Sequence, residues 1–241
     1  MRRANVLSVA GQRTGCVCLA VAFTMAPAPL QLSAEPAVDQ RAAAAMQGFL
    51  DRAKTPHQYS ASRRLEASGK GHKGWLDAQT EFTPAAGLSY QVTAEGGSGY
   101  IRSRVLRSLL EEEKRLIAKN LTATVAISSA NYELTPEGLN DEGLAVVRMR
   151  PLRKDRSLIA GRLFLTLTGD LVRVEGRLAK NPSFWVTRVE VVRSYRRING
   201  VPMPVSLDTT AQLRFLGSSA LSMTYRYVQV DERAVVEEGR R

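Results

Sequence analysis

Residues 162–178 have the sequence RLFLTLTGDLVRVEGRL, which predicts a β-hairpin. Apolar and polar side chains alternate on both sides of Gly169-Asp170, and this dipeptide is typical of a tight turn between antiparallel strands. Alternation with period two gives a strand one apolar face and one solvated face. The hairpin therefore indicates an antiparallel sheet that covers a core on one side.

The same alternation continues on both sides of this hairpin and predicts about seven strands beyond residue 120. Asn199-Gly200 and Gly217-Ser218 are further turn signals between them. The predicted strands are 122–128, 132–135, 144–149, 162–168, 171–178, 184–192, 205–215 and 221–227, of which the first two are short. Short connections favour antiparallel neighbours.

The first half of the chain combines two helices with three strands. Residues 36–54 carry an apolar stripe with helical spacing that ends before Pro56, and residues 101–119 carry a second one. Between them, period-two strands run over 59–67, 75–82 and 88–94. We predict one α+β domain, in which a strongly curved antiparallel sheet of about ten strands wraps its apolar concave face around two helices.

The N-terminus has the features of a secretory signal. Arg2, Arg3 and Arg13 precede the uncharged run from Cys16 to Ala26, and the small residues Ser33-Ala34 follow two prolines. The apolar run is shorter than the roughly 20 residues that a membrane-spanning helix needs. We expect residues 1–34 to be cleaved, residues 35–231 to form a single domain, and residues 232–241 to be a charged tail. Both cysteines lie in the signal, so the mature chain would hold no disulfide.

The chain is basic, with 34 Lys and Arg against 23 Asp and Glu. Loss of the three signal arginines would leave an excess of eight positive charges. The basic residues are spread along the sequence, which is typical of a solvated surface or of a surface that meets anionic lipid or acidic partners. No nucleic-acid motif is present, and an exported protein seldom meets nucleic acid.

The sequence contains no recognisable catalytic motif. His57 and His72 have no metal-ligand spacing, no Gly-x-Ser-x-Gly occurs, and Glu111-Glu112-Glu113 are adjacent acids of a solvated helix face. We therefore predict a protein that is not an enzyme and that uses no cofactor and no metal. An enzyme whose carboxylates are brought together only by folding is an alternative that the pattern leaves open.

A cupped apolar face could instead bind hydrocarbon chains, since each buried methylene contributes about 0.8 kcal/mol without any polar signature. Ordinary core packing is the alternative for every candidate. The candidate cavity residues are Tyr59, Leu65, Trp75, Leu88, Tyr90, Val92, Trp185, Leu213, Phe215, Met223 and Tyr225.

Several short motifs, taken in order, resemble the LolA/LolB-type periplasmic lipoprotein carriers and the wider group of outer-membrane lipoprotein-sorting proteins. The motifs are Phe-Leu-Asp-Arg-Ala at 49–53, His-Gln-Tyr-Ser-Ala-Ser at 57–62, Phe-Thr-Pro at 82–84, Tyr-Glu-Leu-Thr-Pro at 132–136 and the hairpin at 163–176. The resemblance covers about 36–230. It implies an incomplete β-barrel, with helices as a lid over an apolar cavity that carries lipid or lipoprotein acyl chains across the periplasm.

One position departs from the family. The carriers have an arginine before the proline that follows the second strand, and this arginine helps to hold the lid shut; here the position is Thr83. The resemblance thus implies the fold, while lipoprotein release of the carrier type is in doubt.

We therefore predict a periplasmic, monomeric carrier or binder of lipid or lipoprotein acyl chains, with inner- or outer-membrane envelope proteins as possible partners. An interaction module of the same fold, with a closed core and a basic surface that contacts anionic membrane or a partner, is the main alternative. A small outer-membrane barrel is a further one, against which stand the two helices, the arginine-rich strands and the charged end of the chain.

Overall fold

Antiparallel strands account for most of the protein. The structure is a computed structural model and describes residues 35–52, 55–215, 217–231 and 233–235. The predicted signal peptide 1–34 lies outside the described residues, and so does most of the predicted tail 232–241. No described helix is long and apolar enough to cross a membrane.

The order of elements follows the sequence pattern. The helices are α1 Glu35–Arg52, α2 Gly99–Ile101 and α3 Arg107–Ala118, and the π-helical turn Arg102–Leu106 joins α2 to α3. The strands are β1 Tyr59–Gly69, β2 His72–Thr83, β3 Gly87–Gly97, β4 Tyr132–Leu139, β5 Ala145–Pro151, β6 Ile159–Leu165, β7 Leu171–Leu178, β8 Val186–Ile198, β9 Val201–Leu213, β10 Gly217–Val230 and β11 Arg233–Ala234. We refer to the continuous stretch from α2 to α3 as the second helix.

Ten strands form one sheet in the order β3-β2-β1-β10-β9-β8-β7-β6-β5-β4, and β11 extends it by pairing with β10. All pairs between these strands are antiparallel. The sheet is strongly curved and does not close, because its edge strands β3 and β4 do not pair with each other. The predicted α+β class, with an incomplete barrel of about ten strands and two helices, is confirmed.

The two helices cover opposite ends of the concave face. Helix α1 packs on β4, β5 and β6, while the second helix packs on β1, β2 and β3. Ala42, Ala45 and Phe49 of α1 join the core formed by β4 to β7, as the apolar stripe predicted. Ile101, Leu106 and Leu110 of the second helix join a separate core with β1, β2 and β10. Strands β8 and β9 lie between these two cores.

The hairpin of residues 162–178 is present, but its connection is wider than the predicted two-residue turn. Strand β6 ends at Leu165 and β7 begins at Leu171, and Thr166 donates its backbone N–H to the carbonyl of Asp170 (2.9 Å). Gly169 has φ +85°, and a Cβ there would lie 2.6 Å from the backbone nitrogen of Phe49. The turn therefore needs glycine both for its conformation and for the close approach of α1.

One predicted strand is wrong. Residues 122–128 form a 3₁₀ turn at Thr122–Thr124 followed by bends, not a strand. Asn131 closes this segment with its side-chain amide, which donates to the carbonyls of Ala123 and Ala126 (both 2.8 Å). These two bonds satisfy carbonyl groups that an irregular segment would otherwise leave unpaired.

Candidate functional site

The concave face carries a row of directly paired residues that crosses the sheet. The row runs Leu76, Leu65, Met223, Leu207, Arg193, Val174, Leu163 and Val147, with one residue on each of eight neighbouring strands. Every member except Arg193 is aliphatic or Met. Residues directly opposite each other in a sheet are in contact, so the row is an apolar stripe that only Arg193 interrupts, and most of its side chains are buried.

Most of the predicted cavity residues lie on this face. Leu65 and Met223 belong to the core beneath the second helix, and Tyr90, Val92 and Tyr225 pack against that core. Leu88 is buried opposite Phe82. Tyr59 packs at the edge of a third cluster that contains Tyr227. Leu213 is the last residue of β9, and the alternation along this strand places it on the same face as Leu207.

Three of the predicted residues lie elsewhere. Trp75 is on the convex face under the guanidinium of Arg64 (4.0 Å to the ring centroid), while its neighbour Leu76 is the one that enters the core. Trp185 precedes β8 and Phe215 follows β9, and their exposed fractions are 57% and 88%. The prediction that these three side chains lie on the apolar concave face is therefore wrong.

A polar cluster is embedded in the concave face beneath α3. Arg63 of β1 is only 2% exposed, and its guanidinium binds both carboxylate oxygens of Glu113 from α3 (2.5 and 3.1 Å). It also donates to the hydroxyl of Tyr59 (2.9 Å) and lies 4.8 Å from the ring centroid of Tyr225. Burial alone would lower the pKa of Arg63, but the carboxylate of Glu113 outweighs it, so the pKa is raised. Arg63 is charged, and it ties the sheet to the covering helix.

The tyrosines around this pair are neutral at physiological pH. Burial raises the pKa of Tyr59, Tyr225 and Tyr227 above the ordinary value for tyrosine. Tyr225 and Tyr227 stack with an interplanar angle of 5°, and Tyr227 contacts Tyr59 edge to face. The cluster therefore presents aromatic rings and hydroxyls to the concave side rather than negative charge.

Arg193 is a second cation on the concave face. It lies between Leu207 and Val174 in the row and 5.4 Å from the ring centroid of Tyr195. Among the described residues no carboxylate lies within ion-pair distance of it, and its Nε is buried without a hydrogen-bond partner. Tyr195, Tyr225 and, through space, the carboxylate of Glu113 raise the pKa of Arg193 against the effect of burial, but none of them forms an ion pair with it at contact distance. This position therefore favours an anionic group.

Sequence patterns missed Arg63, Glu113 and Arg193, which had been assigned to solvated surfaces. The alternation of inward and outward positions along a strand could have identified Arg63 and Arg193. Arg63 stands in the same alternation as Ala61 and Leu65, and Arg193 stands in that of Val189 and Val191. A charged residue at an inward position of an otherwise apolar strand is a candidate functional residue.

The structure brings no catalytic arrangement together in the part of the chain that it describes. His57 and His72 are exposed and lie at opposite ends of β1. Among these residues no group of three His, Cys, Asp or Glu is placed to hold a metal. Among the described residues, the concave face offers apolar contact, aromatic contact, the Arg63–Glu113 pair and, at Arg193, a cation without an ion-pair partner at contact distance.

Comparison with known proteins gives likenesses of fold. No family model matches the sequence, and no curated protein matches it. Among solved structures the chain is similar to a DUF1329 family protein from Desulfovibrio piger, with 9% identity over 78% of this chain and 91% of that chain and a TM-score of 0.38. It is also similar to a LolA superfamily protein from Nitrosomonas europaea, with 9% identity over 82% and 96% and a TM-score of 0.36.

The described residues thus define an open, curved antiparallel sheet with two helices on its concave face.

Proposed function

We propose that this protein binds the hydrocarbon chains of lipids or of acylated peptides on its concave face and carries them across the periplasm. The observation that supports the proposal is the row from Leu76 to Val147, whose ends are buried beneath the two helices and whose middle, at Leu207 and Arg193, is only half-buried. Burial of about ten methylenes would contribute roughly 8 kcal/mol before the costs of association. Shape and apolar area are then sufficient, and no catalytic group is needed.

The proposal includes the organisation of the chain and its place in the cell. Residues 1–34 act as an export signal, and residues 35–231 form one lipid-binding domain that is monomeric and not an enzyme. Envelope proteins of the inner or outer membrane would deliver and receive the ligand. The basic composition of the predicted mature chain suits a protein that works beside anionic lipid.

We further propose that the ligand has an acidic head group. Arg63 is neutralised by Glu113, whereas Arg193 has no carboxylate partner among the described residues. The tyrosines beside it are neutral because burial raises their pKa. A carboxylate or phosphate at Arg193 would supply the missing charge while the hydrocarbon chain lies along the row.

A second candidate is an envelope interaction module with a closed core. It is favoured by the burial of Val189 and Val191, each 5% exposed, in the middle of the concave face. Strong curvature brings concave side chains together and can fill such a face without a ligand.

Native mass spectrometry on protein from a periplasmic extract separates the two candidates. The informative variant is Leu207→Asp, at a half-buried concave position beside Arg193, and the matched control is Val228→Asp, at a position 59% exposed on the convex face. The carrier is supported if lipid co-purifies with the wild type and the control but not with Leu207→Asp. A wild type without lipid that also fails to bind a fluorescent fatty acid would favour the closed core.

A further inference from the structure

Exposed apolar side chains concentrate at one end of the sheet. This end is formed by the connections 69–73, 97–100, 151–158, 179–185 and 213–217, which we call the aromatic rim. The large side chains exposed there are Tyr100 (67%), Leu152 (57%), Phe184 (70%), Trp185 (57%) and Phe215 (88%). Toward the other end of the sheet, Leu167 at 51% and Val228 at 59% are the comparable exposed side chains among the described residues, and neither is aromatic.

Two of these rim residues, Phe184 and Trp185, form one exposed cluster with Arg214. Phe184 and Trp185 contact each other edge to face with ring centroids 5.7 Å apart, and Arg214 covers the ring of Phe184 at 4.5 Å. Arg214 also donates its backbone N–H to the carbonyl of Trp185 (2.8 Å), which joins the two connections. Phe215 follows with φ +66° and is almost fully exposed. A non-glycine residue with this conformation is uncommon, and here it stands at the tip of the turn.

Charge is also divided between the two ends. The aromatic rim carries the cations Lys70, Lys73, Arg153, Lys154, Arg156, Lys180 and Arg214 and a single acid, Asp155. The connections at the opposite end, 83–87, 139–145, 165–171 and 198–201, contain Asp141, Glu142 and Asp170 and no lysine or arginine. The rim therefore carries an excess of cations, whereas at the opposite end Asp170 pairs with Arg197 and Glu142 pairs with Arg173.

A basic cleft opens beside the exposed aromatic residues. Its volume is about 540 Å³, and Arg153, Lys154, Arg177 and Arg188 line it together with Leu152 and Leu178. Arg188 pairs with Glu190 (2.6 Å), and Arg153 is held by Asn131 (2.7 Å). Lys154 and Arg177 make no ion pair with any described carboxylate. These two cations are available to the phosphates of a lipid surface.

From these observations we infer that the aromatic rim docks on an anionic phospholipid bilayer. Aromatic side chains partition into the headgroup region, and lysine and arginine beside them are attracted to anionic headgroups. Neither property needs the concave cavity, so this inference stands apart from the proposed carrier function.

The test uses purified protein and vesicles made from equal amounts of phosphatidylcholine and phosphatidylglycerol. The rim variant is Trp185→Ser with Phe215→Ser, and the matched control is Leu167→Ser at the opposite end. The inference predicts that co-sedimentation falls at least tenfold for the rim variant and is unchanged for the control. Lys154→Glu with Lys180→Glu should cause a similar loss, because each cation near the surface contributes several-fold to binding, and Lys119→Glu should change it little.

Fluorescence gives a second readout. In a Trp75→Phe background the remaining tryptophan is Trp185, because the chain has two tryptophans. Its emission should shift to the blue on addition of anionic vesicles and be quenched by brominated lipid. The inference is overturned if all variants bind vesicles equally, if neutral phosphatidylcholine vesicles bind as well as anionic ones, or if the wild type instead forms dimers that the rim variant loses. Retention of co-purified lipid by the rim variant would leave the carrier proposal intact in each case.

Discussion

Arg63 on β1 and Glu113 on α3 form a two-bond ion pair, with distances of 2.5 and 3.1 Å, that joins the concave face to the helix above it. The guanidinium is buried, whereas the side chain of Glu113 is 36% exposed. Such a pair matters for the stability of the folded protein because the loss of Glu113 would leave a buried cation without a counterion. Glu95 of β3, which pairs with Arg102 and Arg107, is a second charged connection between the second helix and the sheet, but its groups are more exposed than Arg63.

Removal of the Glu113 charge is expected to destabilise the protein. Glu113→Gln keeps the shape of the side chain and leaves Arg63 without an anion, so the free energy of unfolding should fall by about 2–4 kcal/mol. Urea denaturation measures this change. Hydrogen exchange should quicken in the backbone amides of residues 107–118, because the helix loses one of its ion pairs with the sheet.

The neighbouring acid is the control for this experiment. Glu112 pairs with Arg115 on the exposed side of the same helix, and both side chains are about half exposed. Glu112→Gln should therefore change stability by less than about 0.5 kcal/mol. Equal effects of the two variants would mean that the pair with Arg63 has no special role.

Stability should decline in alkaline solution because several tyrosines are buried. Burial raises the pKa of Tyr59, Tyr225 and Tyr227, and it raises the pKa of Tyr90 to about 12. A group with a raised folded-state pKa stabilises the protein fully below its unfolded-state value, which is about 10 for tyrosine. Above that pH the unfolded chain loses protons first, and stability falls by up to about 1.4 kcal/mol per pH unit for each group.

Absorbance of tyrosinate and circular dichroism, recorded together from pH 9 to pH 12, check this expectation. Ionisation of the buried tyrosines should coincide with unfolding rather than precede it. Tyr225→Phe should make the alkaline loss of stability less steep than in the wild type. Free titration of every tyrosine near pH 10 in a folded protein would contradict the burial of the cluster.

Gly169 is expected to be intolerant of any side chain. Its φ is +85°, and an added Cβ would lie 2.6 Å from the nitrogen of Phe49 and 2.8 Å from the carbonyl oxygen of Ala45. Gly169→Ala should lower the free energy of unfolding by roughly 2–4 kcal/mol, since both neighbours are backbone atoms of α1. Gly143 has a similar φ of +73° with open space around it, so Gly143→Ala should cost only about 1 kcal/mol. The difference in thermal or urea unfolding between the two variants isolates the contact with α1.

Sequence periodicity predicted the strands and helices well because alternation is a local property. It placed Leu65 and Met223 correctly on one face, and these two residues are paired across β1 and β10. It placed Trp75 on the wrong face. The aromatic residue was assigned to the core side of β2, whereas its neighbour Leu76 is the one that points into the core. Trp75 has an exposed neighbour, Arg64, that covers its ring, and a single sequence gives no sign of this contact.

Strand ends were the weakest part of the prediction. Trp185 and Phe215 fit the alternation of the strands beside them, but β8 begins at Val186 and β9 ends at Leu213. Both aromatic residues are therefore in turns, and their exposure points to the membrane-facing rim instead of the cavity. The ion pair of Arg63 and Glu113 joins residues far apart in the sequence, so only the folded structure could bring them together.

Arg193, which has no ion-pair partner at contact distance, gives the sharpest test of ligand chemistry. Arg193→Met keeps an unbranched apolar stem and removes the charge, and binding of a fluorescent fatty acid should weaken about tenfold because a hydrogen-bonded charge is lost. Binding of the methyl ester of the same probe should hardly change, since the ester offers no anion. Arg162→Met, at an exposed position that pairs with Glu137 (2.7 Å), is the control and should leave both affinities as in the wild type. If the wild type prefers the ester, or if Arg193→Met weakens acid and ester alike, Arg193 does not recognise an acidic head group.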